Sequence, residues 1–333
     1  MKNKLFWMSN SSSHMIKRVT NCLRLCVNYL LSSLLKRPIV THAPFFLSIE
    51  PVNVCNLRCP QCPTGMGIHP RSKRFFDLDL FGRLLQEVGD RLLCVQFYFQ
   101  GEPLLCPSLC AMIAQAKEEG IYTIVSTNAQ LLTQTMAYDL VISGLDKLIV
   151  SMDGLSQESY SAYRVGGDVE KVKQALHHVS QCKKKLCSSS PCVELQWLVL
   201  SSNEQEMPLI RKQYKQLGAD KLVFKTAQFY SIPQGDPLMP RSSAYNRYRR
   251  LVDGTWQLKS RLRCRCWRLW SGAVIDTEGN VRSCCFDKEG KYILGNLHQD
   301  SFMHIWYGEL AQQFRERLLH HRPHIDICRN CTE

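Results

Sequence analysis

Short runs of apolar, β-branched or aromatic residues recur along the chain, at Phe46–Ile49, Val95–Phe99, Tyr122–Val125, Leu148–Val150, Val193–Leu200 and Leu222–Phe224, and each reads as a strand. Between them apolar positions fall at helical spacing, over Leu78–Leu92, Pro107–Glu119, Thr133–Ile142, Asp168–Lys184 and Glu204–Gln216. Gly120, Gly144 and Gly218 close three of these intervals. Strand and helix in alternation predict six parallel strands with outer helices, an α/β protein built as a partial (β/α)6 TIM-like barrel. No internal repeat is visible. Ser188–Ser190 reads as a short polar loop. The stretch Ser231–Ser243, with Pro233, Pro237 and Pro240, predicts a linker into a small C-terminal α+β domain. The expected organisation is residues 1–44, an N-terminal basic amphipathic helical segment; 45–230, the barrel; 231–263, a basic linker with an arginine-rich helix at Tyr245–Leu251; and 264–333, the small domain.

The N-terminal segment predicts a helix whose Cys22, Leu23, Cys26, Tyr29, Leu30 and Leu34 form a stripe packed against the bottom of the barrel. The alternative is a peripheral membrane helix. Val19–Leu35 is interrupted by Asn21, Arg24 and Asn28 and falls short of the roughly 20 apolar residues of a spanning helix. No secretory signal pattern is present, so a reducing, cytoplasmic location is expected, with membrane association through this helix as the variant. Disulfides are then not expected among the 17 cysteines, which must be packing thiols or metal ligands.

With 333 residues and 45% hydrophobic composition the chain can bury a full core, which excludes a disordered or fibrous protein. The net charge of +13 is local. Met1–Ile49 carries Lys2, Lys4, Lys17, Arg18, Arg24, Lys36 and Arg37 with no acid. Arg241–Arg268 carries nine cations against Asp253 alone. The remaining chain is nearly neutral, so the second patch points to an anionic or peptide substrate or carrier, or an acidic electron donor.

In barrels of this type chemistry gathers at the C-terminal strand ends. Cys55, Cys59 and Cys62 follow the first strand and Gln100-Gly101-Glu102-Pro103 the second. Ser126-Thr127-Asn128 follows the third and Ser151-Met152-Asp153-Gly154 the fourth. All four fall on one rim, which predicts one shared site. Three thiolates spaced C-x3-C-x2-C can converge from one loop onto an iron–sulfur cube and leave one iron open. Asn53, Asn56, Arg58 and Gln61 offer donors to sulfur. Zinc normally wants a fourth ligand.

The stretch Ile49-Glu50-Pro51-Val52-Asn53-Val54-Cys55-Asn56-Leu57-Arg58-Cys59-Pro60-Gln61-Cys62 resembles the signature of radical S-adenosylmethionine (radical SAM) enzymes, with Gly101-Glu102-Pro103, Ser126-Thr127-Asn128 and Asp153-Gly154…Tyr163-Arg164 at the family's cofactor-binding positions. The likeness covers roughly Phe45 to Thr226. It implies a [4Fe–4S] cluster on Cys55, Cys59 and Cys62 whose open iron chelates S-adenosyl-L-methionine, and an external flavodoxin- or ferredoxin-like electron donor. It further implies reductive cleavage to a 5′-deoxyadenosyl radical that takes hydrogen from a substrate, in peptide modification or small-molecule oxidation. Gly101, Glu102, Pro103, Ser126, Asn128, Ser151, Asp153 and Arg164 would hold the cofactor: Glu102 at the methionine ammonium, the serines and Asn128 at ribose or carboxylate, Arg164 as a fork on the carboxylate. The family often has two glycines before the glutamate; this chain has Gln100-Gly101.

A second set, Cys264, Cys266, Cys284, Cys285, Cys328 and Cys331, ends in a C-x2-C knuckle, and Val281–Cys284 reads as a hairpin strand after the turn Asp276–Asn280. Four of these would close a structural or electron-transfer site, and by spacing alone zinc fits as well as iron–sulfur. The pattern Cys266-Trp267…Asp276…Gly279…Val281…Cys284, Gly295-Asn296, Ile305-Trp306 and Cys328-x2-Cys331 resembles the SPASM or twitch extension of the same family. It implies one auxiliary [4Fe–4S] cluster on Cys266, Cys284, Cys328 and Cys331, two clusters in all, with Cys264 and Cys285 as rivals for the first two positions. The remaining cysteines read as packing thiols. Net oxidation would need a base, for which Asp276 and Asp287 are the nearest candidates. A competing reading, a non-catalytic zinc or iron–sulfur module binding nucleic acid through the arginines and interleaved aromatics Tyr245, Tyr248, Trp256, Trp267 and Trp270, leaves the four rim motifs unexplained.

Overall fold

The computed structural model describes residues 2–68, 72–229 and 232–332, with side chains from Ser13 onward. Ser231, where the linker is expected to begin, lies outside the described residues, as do Met1 and Glu333. After a long helix α1 (Lys2–Leu35) come β1 (Phe46–Ile49), α2 (Pro63–Met66), α3 (Leu78–Val88), β2 (Cys94–Phe97), α4 (Leu109–Glu118), β3 (Tyr122–Thr127) and α5 (Gln134–Ile142). Next are β4 (Lys147–Ser151), α6 (Gln157–Ser161), α7 (Val169–Lys185), β5 (Cys192–Val199), α8 (Met207–Gln213) and β6 (Lys221–Thr226). The six strands are parallel and adjacent in chain order, as the alternation predicts. Asp77, Thr133 and Asp168 accept main-chain N–H groups at the starts of α3, α5 and α7, so each helix begins where a side-chain cap meets the apolar stripe.

Strand residues alternate between two environments. Val95, Phe97, Val125, Leu148, Val150, Leu195 and Trp197 are buried against the outer helices. Their neighbours Ser48, Gln96, Ser126, Lys147, Glu194 and Gln196 face a cavity of about 1140 Å³. The barrel interior is therefore open, with polar and charged groups set among apolar ones such as Phe99, Ile124 and Ile149, unlike the packed interior of a full eight-stranded barrel.

Beyond β6 the chain forms a two-stranded ribbon, β7 (Tyr248–Arg250) with β8 (Trp256–Leu258), where the sequence predicts an arginine-rich helix at Tyr245–Leu251. Tyr248 anchors the strand: its hydroxyl accepts from Phe229 N at 3.0 Å and donates to Asn330 Oδ1 at 2.8 Å. After α9 (Trp267–Ser271), β9 (Gly272–Ile275) pairs parallel with β1 on the side away from β2, and β10 (Asn280–Arg282) and β11 (Ile293–Asn296) continue antiparallel. Helices α10 (Phe302–Tyr307) and α11 (Glu309–His321) cover them. Among the described residues β1–β6 and β9–β11 form one nine-stranded sheet, and one buried cluster runs from Leu47 and Ile49 to Trp270, Val281, Trp306 and Phe314. The small C-terminal domain thus joins the barrel sheet through β9.

Helix α1 covers the barrel as expected, with Leu25 fully buried and Cys22 and Tyr29 of the expected stripe partly buried, but the rest of that stripe faces outward. Leu23, Leu30 and Leu34 are 64%, 58% and 76% exposed, whereas Arg18, Asn21, Asn28 and Ser32 are buried. Arg18 donates to the carbonyls of Gly89 (3.2 Å), Glu119 (2.6 Å) and Gly120 (3.1 Å). The Asn28 Oδ1 accepts from Thr41 N, and the Ser32 hydroxyl accepts from Ile39 N. The bottom of the barrel presents unpaired helix-end and loop carbonyls and N–H groups, which need polar partners, so the polar side of α1 docks there.

Candidate functional site

The first cysteine loop leaves the C-terminal end of β1. Cys55 and Cys62 are partly buried, Cys59 is buried, and Cys62 N donates to the Cys59 carbonyl at 3.1 Å. The loop is clamped from beneath: a side chain at Gly65 would meet Cys59 N at 2.6 Å. Sulfur is supplied with donors, from Leu57 N (3.4 Å) and Asn128 Nδ2 (3.6 Å) to Cys55, and from Arg164 Nη1 (3.9 Å) to Cys59. Asn53 and Gln61, expected as donors to sulfur, are used elsewhere: Asn53 fastens Ser72 and Arg74, and Gln61 donates to Asp236. Burial pushes the Cys55 thiol up to about 11, so a thiolate there requires a cationic centre beside it.

The other three rim motifs meet this loop. Gly101 has φ +76, and a Cβ there would collide with the Val52 carbonyl, so only glycine lets the second rim loop lie on the first. Glu102 is 2% exposed, and its carboxylate accepts from Leu104 N (3.2 Å), Thr127 Oγ1 (2.5 Å) and Asn128 N (2.8 Å). Two of these bonds join the second motif to the third, and the Leu104 bond caps the turn that follows Glu102 itself. Gln100 replaces the family's other glycine with a bridge, accepting from Thr64 Oγ1 at 3.3 Å and donating to the Lys288 carbonyl at 2.9 Å. In the fourth motif Asp153 accepts from Arg164 Nε and from Leu198 N at 2.6 Å, and burial there is complete. Although burial opposes the Arg164 charge, Asp153 and Cys59 hold it above its ordinary value. Ser126 lines the large cavity; Ser151 lies on the same inward strand face as Lys147 and Ile149, without lining it.

In the extension Cys266, Cys284, Cys328 and Cys331, from three separate segments, line one small apolar cavity of about 20 Å³ with Leu269, Phe286, Phe314, Leu318 and Ile327. Arg322 Nη2 donates to Cys331 Sγ at 3.4 Å. Burial pushes the Cys328 thiol up to about 11. Of the two rivals, Cys264 donates to the His320 carbonyl, and Cys285 lies 3.4 Å from Arg268 Nη1 on the wall of the large cavity, in hydrogen-bond contact with Cys284. Cys284 lines both cavities. No group of three or more His, Cys, Asp or Glu side chains among the described residues is drawn tightly enough around a point to hold a single ion. Three thiols on one loop and four brought together from three segments are donor sets that suit iron–sulfur clusters.

Asp276 and Asp287, the candidate bases, are wholly buried in turns of the extension. Asp276 accepts from Arg282 Nη2 (2.6 Å) and from Glu278 and Asn280 N; Asp287 accepts from Lys291 and Tyr292 N. Neither lines the large cavity, because their acceptor positions hold the hairpin together. The groups facing that cavity were missed in sequence: Lys147 paired with Glu194 at 2.6 Å, and Lys288, whose ammonium donates to the Phe99 carbonyl at 3.1 Å and lies 4.2 Å over the Phe99 ring. Their signal was a charge at inward parity within an apolar strand, at Lys147, Glu194 and Lys225.

Two family models match the chain: the radical SAM superfamily over residues 49–193 and an iron–sulfur cluster-binding SPASM domain over 264–332. The chain belongs to the radical SAM superfamily. It is an enzyme of that superfamily with a SPASM domain, and the two domains imply S-adenosylmethionine and more than one [4Fe–4S] cluster. A probable GTP 3′,8-cyclase of Methanocaldococcus jannaschii is 26% identical over 227 residues, 62% of this chain and 73% of the relative. An S-adenosyl-L-methionine-dependent 2-deoxy-scyllo-inosamine dehydrogenase of Niallia circulans is 23% identical over 296 residues, 86% and 92% of the two chains. The fold is similar to that of Streptococcus suis SuiB bound to S-adenosylmethionine, with TM-score 0.61 and 13% identity over 87% of this chain and 72% of that one. Among the described residues no helix is long and apolar enough to cross a membrane.

Proposed function

We propose that this radical SAM enzyme holds one cube on Cys55, Cys59 and Cys62, with S-adenosylmethionine on its open iron, and a second on Cys266, Cys284, Cys328 and Cys331, and that it oxidises or modifies a polar substrate in the barrel lumen. The observation that carries the reading is the cavity of about 1140 Å³, whose wall includes Pro63 and Ser126 beside the first cysteine loop and Cys284 from the second set. With both centres filled, the bound cofactors would supply, on reduction by an external flavodoxin- or ferredoxin-like donor, a 5′-deoxyadenosyl radical able to take a hydrogen atom from the substrate. The chain's own residues set the stage. Asp153 fixes the Arg164 fork beside Cys59, Glu102 locks the rim loops, and Asn128 reaches Cys55. The lumen has room for a small molecule or a peptide side chain, and Lys147, Glu194, Lys225 and Lys288 favour one with polar or anionic groups. Protein reconstituted anaerobically should bind about eight irons per chain and release 5′-deoxyadenosine from S-adenosylmethionine with a strong reductant. Fewer than about four irons, or no 5′-deoxyadenosine, would sink the reading.

A second reading concerns location. The outward face of α1 carries Ile16, Val19, Leu23, Val27, Leu30 and Leu34, flanked by exposed Arg24, Lys36 and Arg37, in a segment without an acid. A basic amphipathic helix of this kind lies in the plane of an anionic bilayer. Full-length protein should float with phosphatidylglycerol-containing vesicles at low salt. Equal recovery of the Leu23→Glu/Leu30→Glu variant in the floated fraction would refute this.

A further inference from the structure

A second cavity, of about 650 Å³, opens beside the auxiliary cysteines and is lined by Arg261, Arg263, Arg265, Arg268 and Arg322, with Tyr29, Phe45, Trp267 and Cys266 among its other walls. None of its lining residues is acidic. Several charged groups elsewhere are paired, as in Lys17–Asp90, Lys117–Asp146, Lys147–Glu194 and Arg282–Asp276. Among the described residues Arg261, Arg263 and Arg265 form no ion pair.

The clustering is built. The segment reads Arg261-Leu262-Arg263-Cys264-Arg265-Cys266, bends at Cys264 with Arg265 N donating to the Arg263 carbonyl at 2.7 Å, and brings all three arginines to the cavity wall. Arg322 is 1% exposed and spends Nη1 on the Arg263 and Arg265 carbonyls, which fastens this segment along the cavity wall. Like charges so assembled repel one another unless an anion joins them, and guanidinium forks match phosphate oxygens. The hollow is concave and of small-molecule size, with Arg261, Arg263, Arg265 and Arg268 exposed at its mouth, which suits a phosphate-bearing ligand better than the flat face of an acidic protein. Phe46, Gln96 and Arg268 line both this cavity and the barrel lumen, so a ligand anchored here borders the lumen.

We propose that this cavity binds a polyanionic group, a diphosphate or its equivalent, belonging to the substrate or its carrier. The inference rests on the radical SAM reading of the lumen and adds the chemical class of what enters it.

The probe is inorganic pyrophosphate, titrated into the anaerobically reconstituted holoenzyme by calorimetry, with inorganic phosphate for comparison. Saturable binding of pyrophosphate is expected at least about tenfold tighter than phosphate, weakening as salt rises, and falling at least about tenfold in Arg261→Gln/Arg265→Gln. That variant keeps Arg322 and touches neither cysteine set, so its uncoupled release of 5′-deoxyadenosine should match the parent. No saturable binding, equal affinity for phosphate, or equal affinity in the variant would overturn the proposal. If 5′-deoxyadenosine forms and pyrophosphate fails to bind, the cavity assignment alone falls; if none forms, the enzymatic reading falls whatever binds here.

Discussion

Replacing Cys55, Cys59 and Cys62 together by Ala is expected to abolish 5′-deoxyadenosine formation while leaving about four irons per chain, measured by iron analysis and by the spectrum of the remaining cluster. The expectation follows from separation. The first three sulfurs share a small buried group with Leu57, Tyr163 and Phe229, whereas Cys266 and Cys328 belong to the large core that runs through the extension. Losing one set leaves the walls of the other standing. A variant that kept about eight irons would show that the first loop is not a cluster site. One that lost all iron would show that the two sites do not fold independently.

Arg164→Met should be the most destabilising single change at the rim. It leaves the Asp153 side chain, 1% exposed, facing the vacated site without its counter-charge. Breaking a buried pair from one side costs about 3–5 kcal/mol, whereas removing both charges is often close to neutral. Equilibrium denaturation of the unreconstituted protein should therefore show a large loss for Arg164→Met and substantial recovery in Asp153→Asn/Arg164→Met. Equal losses in the single and double variants would mean that the pair is not what holds the loop. The single variant also removes a donor from the Cys59 sulfur, so the reconstituted first cluster should change its spectrum even where the protein stays folded.

The barrel was legible because its signals are local: alternating strand and helix periods, and side-chain caps such as Asp77 and Asp168. The rim residues were legible because a parallel barrel sends every strand's C-terminal end to one face. What escaped was set by partners distant in sequence. The polar face of α1 is buried because Arg18 finds carbonyls of Gly89, Glu119 and Gly120, which no helical periodicity can show. Asp276 and Asp287 are the nearest candidates for a base in the sequence; in the fold Arg282 and the neighbouring N–H groups hold them in the turn. Lys288 came to light only because the chain brings the loop after Cys284 back against Phe99.

The placement of β9 has a consequence for handling the chain. β1 is an interior strand, held by β2 on one side and by β9 on the other through Phe45 N to the Ser271 carbonyl (3.0 Å) and Glu50 N to the Ile275 carbonyl (2.9 Å). A truncation before Cys264 would turn it into a bare sheet edge with unpaired N–H and C=O groups, open to pairing with another copy. The SPASM segment is therefore also a built-in guard against aggregation, and fragments lacking it should accumulate as insoluble material before any question of catalysis arises.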